Sequence, residues 1–356
     1  MILTVSFILF CTIHTLFWVV LFARLNFVAR PKNANLDQLI SVIVVFKNEL
    51  ENLKILIPKL LEQDYPNFEL ILCDDFSNDA SLAYVERIDN SLVNVLKAST
   101  DLPGKKAALK QAVTFAKGEY ILVTDADCYP ATKSWISSMS SRLRDNKVVL
   151  GYSPHLTAPG WLNKFIRYET FLVALQYLSY AAANIPYMGV GRNLLYKKSL
   201  FISSDALDRS PHLISGDDDI FVNAVAQGNN TTINLDPISF VHTYPSKTFT
   251  SFIRQKRRHV TTATVYKFYH QVLLALYALS HVMIYLLFIV EVFCGLRPSM
   301  IIGFIIVLFI KWVVANKTMK VLQCPDLAVA LPILDILMVL YYICLTPATF
   351  IKSKNW

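Results

Sequence analysis

Apolar positions along the chain follow two regimes. Near both ends they run almost without interruption, and in between they recur at strand and helix periods. The first run, ILTVSFILFCTIHTLFWVVLF (2–22), has about the length a bilayer requires, and three more, at roughly 271–294, 299–316 and 328–347, close the chain. Between them ISVIVVF (40–46) is an unbroken β-branched run, the pattern of a strand buried on both faces. ELENLKILIPKLLEQ follows at helical spacing. FELILCDD (68–75) reads as a second strand, LVNVLKA (92–98) as a third, and GKKAALKQAVTFA (104–116) as a helix opened by glycine. YILVTDAD (120–127) and KVVLGYS (147–153) read as further strands. The alternation predicts an α/β fold on a mainly parallel sheet, with transmembrane helices at both ends of the chain.

Composition agrees with the membrane runs. The 356 residues are 54% hydrophobic and 17% charged, with a mean hydropathy of +0.42, too apolar for a soluble protein of this size. The formal net charge is +8, but no basic helix or aromatic-basic motif stands apart from the apolar runs. That distribution argues for lysine and arginine flanking a bilayer and against nucleic-acid binding. Arg24, Arg30 and Lys32 directly follow the first run, no basic residue precedes it, and no small-residue cleavage site ends it. It reads as an uncleaved anchor (1–24) with its N-terminus outside. Lys317 and Lys320 place the loop between the last two runs inside, which would leave KSKNW outside. The plan is an anchor, a cytosolic domain over 38–260 and a three-span tail over 271–347, in a multi-pass protein of the cell (inner) membrane. Lys311 and Asp335 fall within the third and fourth runs. Counted at about 1.5 Å per residue, both sit roughly 8–12 Å from the cytosolic ends, where unpaired charges are costly and a pair is expected. The six cysteines include no CxxC pair, so neither a disulfide framework nor a zinc site is indicated.

The candidate chemistry is acidic and sits at strand ends. Asp74, Asp75, Asp125 and Asp127 all fall where open α/β sheets bind ligands, at the carboxyl ends of strands. A dinucleotide fold would need GxGxxG after the first strand, and VVFKNELENL contains no glycine. Carboxylates suit a divalent metal or the ribose and base of a nucleotide; bare phosphate calls for N–H groups and cations. Where a strand ends and the chain turns, the two acids of DAD can point apart, one toward a nucleotide sugar and one toward a metal. Mg²⁺ keeps several waters and takes one or two carboxylates plus substrate phosphate oxygens. Farther on, SGDDDIFVNAVA (215–226) opens a helical pattern with three acids, which also suit a helix N-terminus, and SFIRQKRRHV (251–260) gathers basic residues before the second apolar run.

In this order, the segments resemble the membrane-bound family 2 glycosyltransferases of GT-A fold, a group related to cellulose and hyaluronan synthases and to ceramide glucosyltransferase. The resemblance covers about residues 38–260. SVIVVFKNELENL looks like the family's first strand and Asn-Glu pair, here Asn48 and Glu49, with Val45 where the family has proline. CDDFSND looks like the nucleotide-holding Asp-Asp-x-Ser element, giving Asp74, Asp75 and Ser77. PGKKAALK is similar to Gly-Lys-x-x-Ala-Leu-Asn and marks Lys105, with Lys110 in place of asparagine. DAD matches the DxD motif, which implies Asp125 facing the donor and Asp127 the metal, Mg²⁺ or Mn²⁺. GDDD matches the Gly-Asp-Asp element; Asp218 would be the catalytic base and Asp217 its neighbour toward the diphosphate and acceptor. QKRRH matches Gln-x-x-Arg-Trp and assigns Gln255, Arg257, Arg258 and His259 to the diphosphate and acceptor side, His259 replacing the family's tryptophan.

The resemblance implies transfer of a sugar, with inversion, from a nucleoside-diphosphate sugar (UDP-sugar being the family default) to a hydroxyl, with Asn48, Glu49, Asp74, Asp75, Lys105 and Asp125 holding the donor. The acceptor has to be read from elsewhere. WLNKFIRYETFLVALQYLSYAAANIPYM (161–188) carries apolar residues at 3–4 spacing interrupted by Lys164, Arg167 and Glu169, and is expected to lie at the membrane surface, as is 252–269. Such flanking helices favour a membrane lipid or lipid-linked sugar as acceptor. A processive polysaccharide synthase is the alternative, and an inactive nucleotide-sugar-binding membrane scaffold is a reading of another class.

Overall fold

The sheet grows outward from the first buried run. In a computed structural model, which describes residues 2–28, 37–99, 104–144, 146–209, 213, 216–295 and 297–345, Ile40–Phe46 forms β1, every residue of which is buried. Parallel β2 (Phe68–Asp74) pairs along its whole length, and parallel β4 (Tyr120–Val123) covers the other edge. With β3 (Val93–Lys97), β6 (Val148–Leu150), β7 (Leu194–Lys197) and β8 (Thr231–Ile233), the described strands make a seven-stranded sheet in the order β3-β2-β1-β4-β7-β6-β8. Strand β7 runs antiparallel to both neighbours and every other pairing is parallel. A two-stranded ribbon joins β5 (Cys128–Pro130) to β9 (Val241–Thr243). The expected mainly parallel α/β sheet is present. Helix Leu50–Leu61 covers it with Leu53, Leu56, Ile57 and Leu60, a 3–4 pattern whose side chains each contribute about 1.5–3 kcal/mol on burial.

Two close approaches fix how the strands meet. A Cβ on Gly118 would lie 2.7 Å from the Ser41 amide nitrogen and 2.8 Å from the Leu39 carbonyl, so only glycine fits beside β1. Its N–H donates to Ser41 Oγ at 2.8 Å, and that hydroxyl donates to the buried Glu69 at 2.6 Å. Asn193 is fully buried and fully used: Trp135 Nε1 donates to its oxygen at 3.0 Å, and its amide donates to the Tyr152 and Ser239 carbonyls at 2.9 and 2.8 Å.

The chain divides into two units. One comprises Ala29–Leu156 and Asn184–Pro245 and holds the sheet; the other comprises Met1–Val28, Thr157–Ala183 and Ser246–Trp356. The stretch 38–260 read from the sequence as one domain is thus shared between them, because helices Trp161–Ala182 and Phe249–Val260 pack with the apolar helices. Among the described residues three helical segments are long and apolar enough to cross a membrane: Ile2–Phe27, Phe268–Gly295 and Pro298–Val321. The described part of the fourth apolar run, Leu331–Leu345, has 15 residues. Arg30, Lys32 and the closing KSKNW lie outside the described residues.

Within the unit that holds these candidate membrane helices, the membrane unit, the expected pair of Lys311 and Asp335 has formed. Lys311 donates to Asp335 and its Nζ lies 3.0 Å from His281 Nε2. Tyr168 and Tyr285 donate their hydroxyls to the same carboxylate at 2.9 and 2.6 Å. Lys311 and Asp335 are buried to 1% and 0% exposure, so each charge depends on its partners in place of water. Lys311→Met or Asp335→Leu alone is expected to cost about 3–5 kcal/mol by leaving one charge uncompensated, with the double variant no less stable than either single. Thermal unfolding of the detergent-solubilised protein checks this; additive losses would show that the two residues are not coupled.

Candidate active site

In the sheet unit, the sequence-marked acids collect beyond the carboxyl ends of β1, β2 and β4. Asp74 ends β2, and both its oxygens accept the Ser77 amide, at 3.3 and 3.2 Å. Asp75 accepts the Gly104 amide at 2.9 Å, which pins the start of helix Lys105–Phe115 to the end of β2. Asn48 adopts φ +58° after β1; its amide donates to Ser77 Oγ at 2.9 Å, and its side-chain oxygen accepts the Asn78 amide at 2.8 Å. Asparagine tolerates this left-handed conformation better than most residues. The turn therefore ties the β1 and β2 ends together. Glu49 anchors through its own amide to Ser81 Oγ at 2.9 Å and accepts from Asn52 at 2.5 Å.

The DAD acids lie past the end of β4, in the turn before β5. Lys105 Nζ bridges Asp125 at 2.8 Å and Asp217 at 3.1 Å. One ammonium thus joins the DAD turn to the GDDD turn, although some ninety residues separate them. Burial opposes the charge of Lys105, but Asp125, Asp217 and Asp218 outweigh it and hold the ammonium well above its usual range. Asp127 is crowded by protein on most sides despite its exposed edge. Loss of water, then the charge of Asp125, raises its carboxyl, while Arg192 and Lys105 oppose the rise. Glu49 is raised too, first by burial and also by Asp127 and Asp125.

Asp218 occupies the turn that opens helix Asp219–Val225. Gly216 just before it has φ +100°, and a Cβ there would meet the Ile220 side chain at 2.8 Å, so glycine is required. One Asp218 oxygen accepts the Gly191 amide and the other accepts the Asp219 amide at 2.8 Å. Burial, then the charges of Asp217 and Asp219, push the Asp218 carboxyl up to about 7. Gly191 and Arg192 had no place in the motif reading. Both lie in the loop before β7, whose glycines in GVGRN were the available signal, and the antiparallel pairing of β7 with β4 fixes that loop's place in the sheet.

For a divalent cation, ligand atoms of Asp125, Asp127 and Cys128 lie within 4.8 Å of one another. Burial holds the Cys128 thiol well above its usual range, so it stays a neutral S–H and is a poor ligand for a hard ion. Asp125 already accepts Lys105, which leaves Asp127 as the carboxylate suited to a metal. Gln255, Arg257, Arg258 and His259 are carried by helix Phe249–Val260 of the membrane unit.

Residues 41–203 match the family model of glycosyl transferase family 2. The chain carries a family 2 glycosyltransferase domain. Over 116 residues it is 31% identical to UDP-Glc:alpha-D-GlcNAc-diphosphoundecaprenol beta-1,3-glucosyltransferase WfaP of Escherichia coli, covering 33% of this chain and 45% of that protein. Over 96 residues it is 38% identical to poly(ribitol-phosphate) beta-N-acetylglucosaminyltransferase TarS of Staphylococcus aureus, covering 25% of this chain and 16% of that protein. The chain thus spans less than half the length of these relatives. The solved mannosyltransferase PcManGT from Pyrobaculum calidifontis, in complex with GDP-Man and Mn2+, is similar in fold with a TM-score of 0.57 at 17% identity, covering 95% of this chain and 97% of that one. The likeness shows the GT-A fold of the family 2 domain.

The raised Asp218 carboxyl has a consequence for stability. Its folded value of about 7 lies above its ordinary value of 3.8, so the folded state holds a proton that the unfolded chain has released. Its contribution to stability is full below about pH 4 and is lost as pH rises toward 7, with a slope of up to about 1.4 kcal/mol per pH unit. Asp218→Asn should flatten this part of the profile, measured as unfolding midpoint against pH; an unchanged slope would place the titration elsewhere.

Proposed function

We propose that the protein transfers a sugar, with inversion, from a nucleoside-diphosphate sugar to a hydroxyl of a lipid or lipid-linked acceptor at the cytosolic face of the membrane. The observation that carries this reading is the half-buried Asp218, at about 7, joined through Asp217 and Lys105 to the DAD turn. A carboxyl near neutrality is matched to general-base work, being ionised often enough to act and basic enough to take a hydroxyl proton. Two backbone N–H groups orient it and leave lone pairs for the acceptor hydroxyl. Asp74, Asp75, Asn48, Glu49 and Lys105 would bind the donor, with Asp125 held between Lys105 and the sugar. Asp127 would hold Mg²⁺ or Mn²⁺, which supplies Lewis-acid stabilisation of the leaving diphosphate. As the sequence motifs imply, Gln255, Arg257, Arg258 and His259, and separately Asp217, would serve the diphosphate and acceptor.

The lipid-linked acceptor draws support from the membrane helices and from the Escherichia coli relative, whose name gives a diphosphoundecaprenol acceptor and a UDP-Glc donor. The three helices long and apolar enough to span and the shorter fourth among the described residues offer little from which to enclose a polysaccharide channel, which favours single addition over processive synthesis.

Three measurements test the proposal. Membranes containing the protein, incubated with a panel of nucleotide sugars, should yield a lipid extract whose mass rises by one hexose or N-acetylhexosamine. A ladder of additions would indicate a polymerase, and no product from any donor would favour the inactive scaffold. Asp218→Asn should keep donor binding while lowering transfer by roughly 10²–10⁴-fold; near-normal turnover would remove Asp218 from the role. Chelation with EDTA should abolish transfer and Mg²⁺ or Mn²⁺ restore it, whereas full activity in chelator would exclude a metal at Asp127.

A further inference from the structure

Within the membrane unit, three consecutive residues of helix Trp161–Ala182 make polar contacts to three separate segments. Arg167 donates both arms of its guanidinium to Asp326, at 2.7 Å each, in the loop before Leu331–Leu345. Tyr168 donates to Asp335 inside that apolar helix. Glu169 pairs with Lys256 of helix Phe249–Val260 at 2.6 Å and accepts the Tyr341 hydroxyl at 3.3 Å. Successive side chains on a helix point about 100° apart, so this run cannot face one partner or one solvent surface. The Glu169 and Lys256 side chains are only 4% and 13% exposed. Such a buried pair gains little net stability over an apolar substitute, and its best attested use is to fix register.

The pair acts on the helix that carries the Gln-x-x-Arg element. Lys256 lies one turn after Phe252, which is buried between Phe165 and Tyr341, with ring centroids 5.9 and 6.1 Å away. These two residues lie on the helix's attached face, Ile253, Gln255 and Arg258 are partly covered, and Arg254 and Arg257 remain exposed. Packing of Phe252 alone permits the helix to roll about its axis. An ion pair one turn farther along fixes both its rotation and its axial position.

We propose that Glu169, through its ion pair with Lys256, is a positioning residue for sugar transfer, setting the rotation and register of the helix that presents Gln255, Arg257 and Arg258. The inference rests on the reading that this basic helix serves the transfer. The full-length protein in detergent is compared with Glu169→Gln, Lys256→Arg and the neutral pair Glu169→Gln/Lys256→Met. Glu169→Gln should lower kcat by about 10²-fold, the usual effect of a small misplacement, with donor KM within about twofold. Trypsin cleavage after Arg254, Arg257 and Arg258 should become about fivefold faster or more as the helix loosens. Lys256→Arg should retain activity. The neutral pair should regain the thermal midpoint while kcat stays low, because stability returns without the register. Recovery of kcat together with the midpoint would show a merely structural role and overturn the proposal. Unchanged trypsin cleavage in Glu169→Gln would overturn it however the transfer assay falls. If the wild-type protein transfers no sugar from any donor, the transfer reading fails by itself, and the cleavage rates still decide whether Glu169 holds the helix.

Discussion

The acidic site of the sheet unit depends on one ammonium. Asp125 and Asp127 act on Glu49, Asp125 acts on Asp127, and Asp217 and Asp219 act on Asp218, and such crowding of like charges is unfavourable without a cation. Lys105 resolves the conflict by bridging Asp125 and Asp217, and the helix bearing it is held in turn by the hydrogen bond from Gly104 to Asp75. The arrangement divides the labour among the carboxylates. Those touching Lys105 are compensated, whereas Asp218 accepts backbone N–H groups and carries a carboxyl near neutrality. A single charge thus shapes the DAD and GDDD turns differently.

The membrane unit uses the same physics in a drier setting. Lys311 and Asp335, and Glu169 and Lys256, stand as buried pairs, and the buried Arg167 pairs with the half-exposed Asp326. Their partners come from segments far apart in the chain, so the pairs specify which helix lies against which and in what register. Apolar packing alone would leave that choice degenerate, because one leucine-rich surface fits another about equally well.

Much of the fold was legible. The β-branched runs became β1, β2 and β4 because strands buried on both faces need continuous apolar sequence, and the glycine-opened helix appeared as Lys105–Phe115. The shorter strands β5, β7, β8 and β9 passed unread, since three or four residues carry too little pattern to stand out from a loop. The helix from Trp161 looked like an interfacial element by its spacing, yet residues around its whole circumference are buried, including Arg167 and Glu169. Spacing reports apolar positions and is blind to charges that find buried partners.

The sequence alone determined which chemistry was present: acids at strand ends, a lysine opening a helix, and basic residues before an apolar run, in an order that resembles family 2 glycosyltransferases. These are local facts, written in residue type and spacing. Only the tertiary structure decided which acid's carboxyl would be pushed up to about 7 and which would be paired with a lysine. Asp217, Asp218 and Asp219 are identical in kind and adjacent in sequence. What separates them is the distance to Lys105 and the amide of Gly191. Those quantities are set by contacts between remote segments, which no local pattern records.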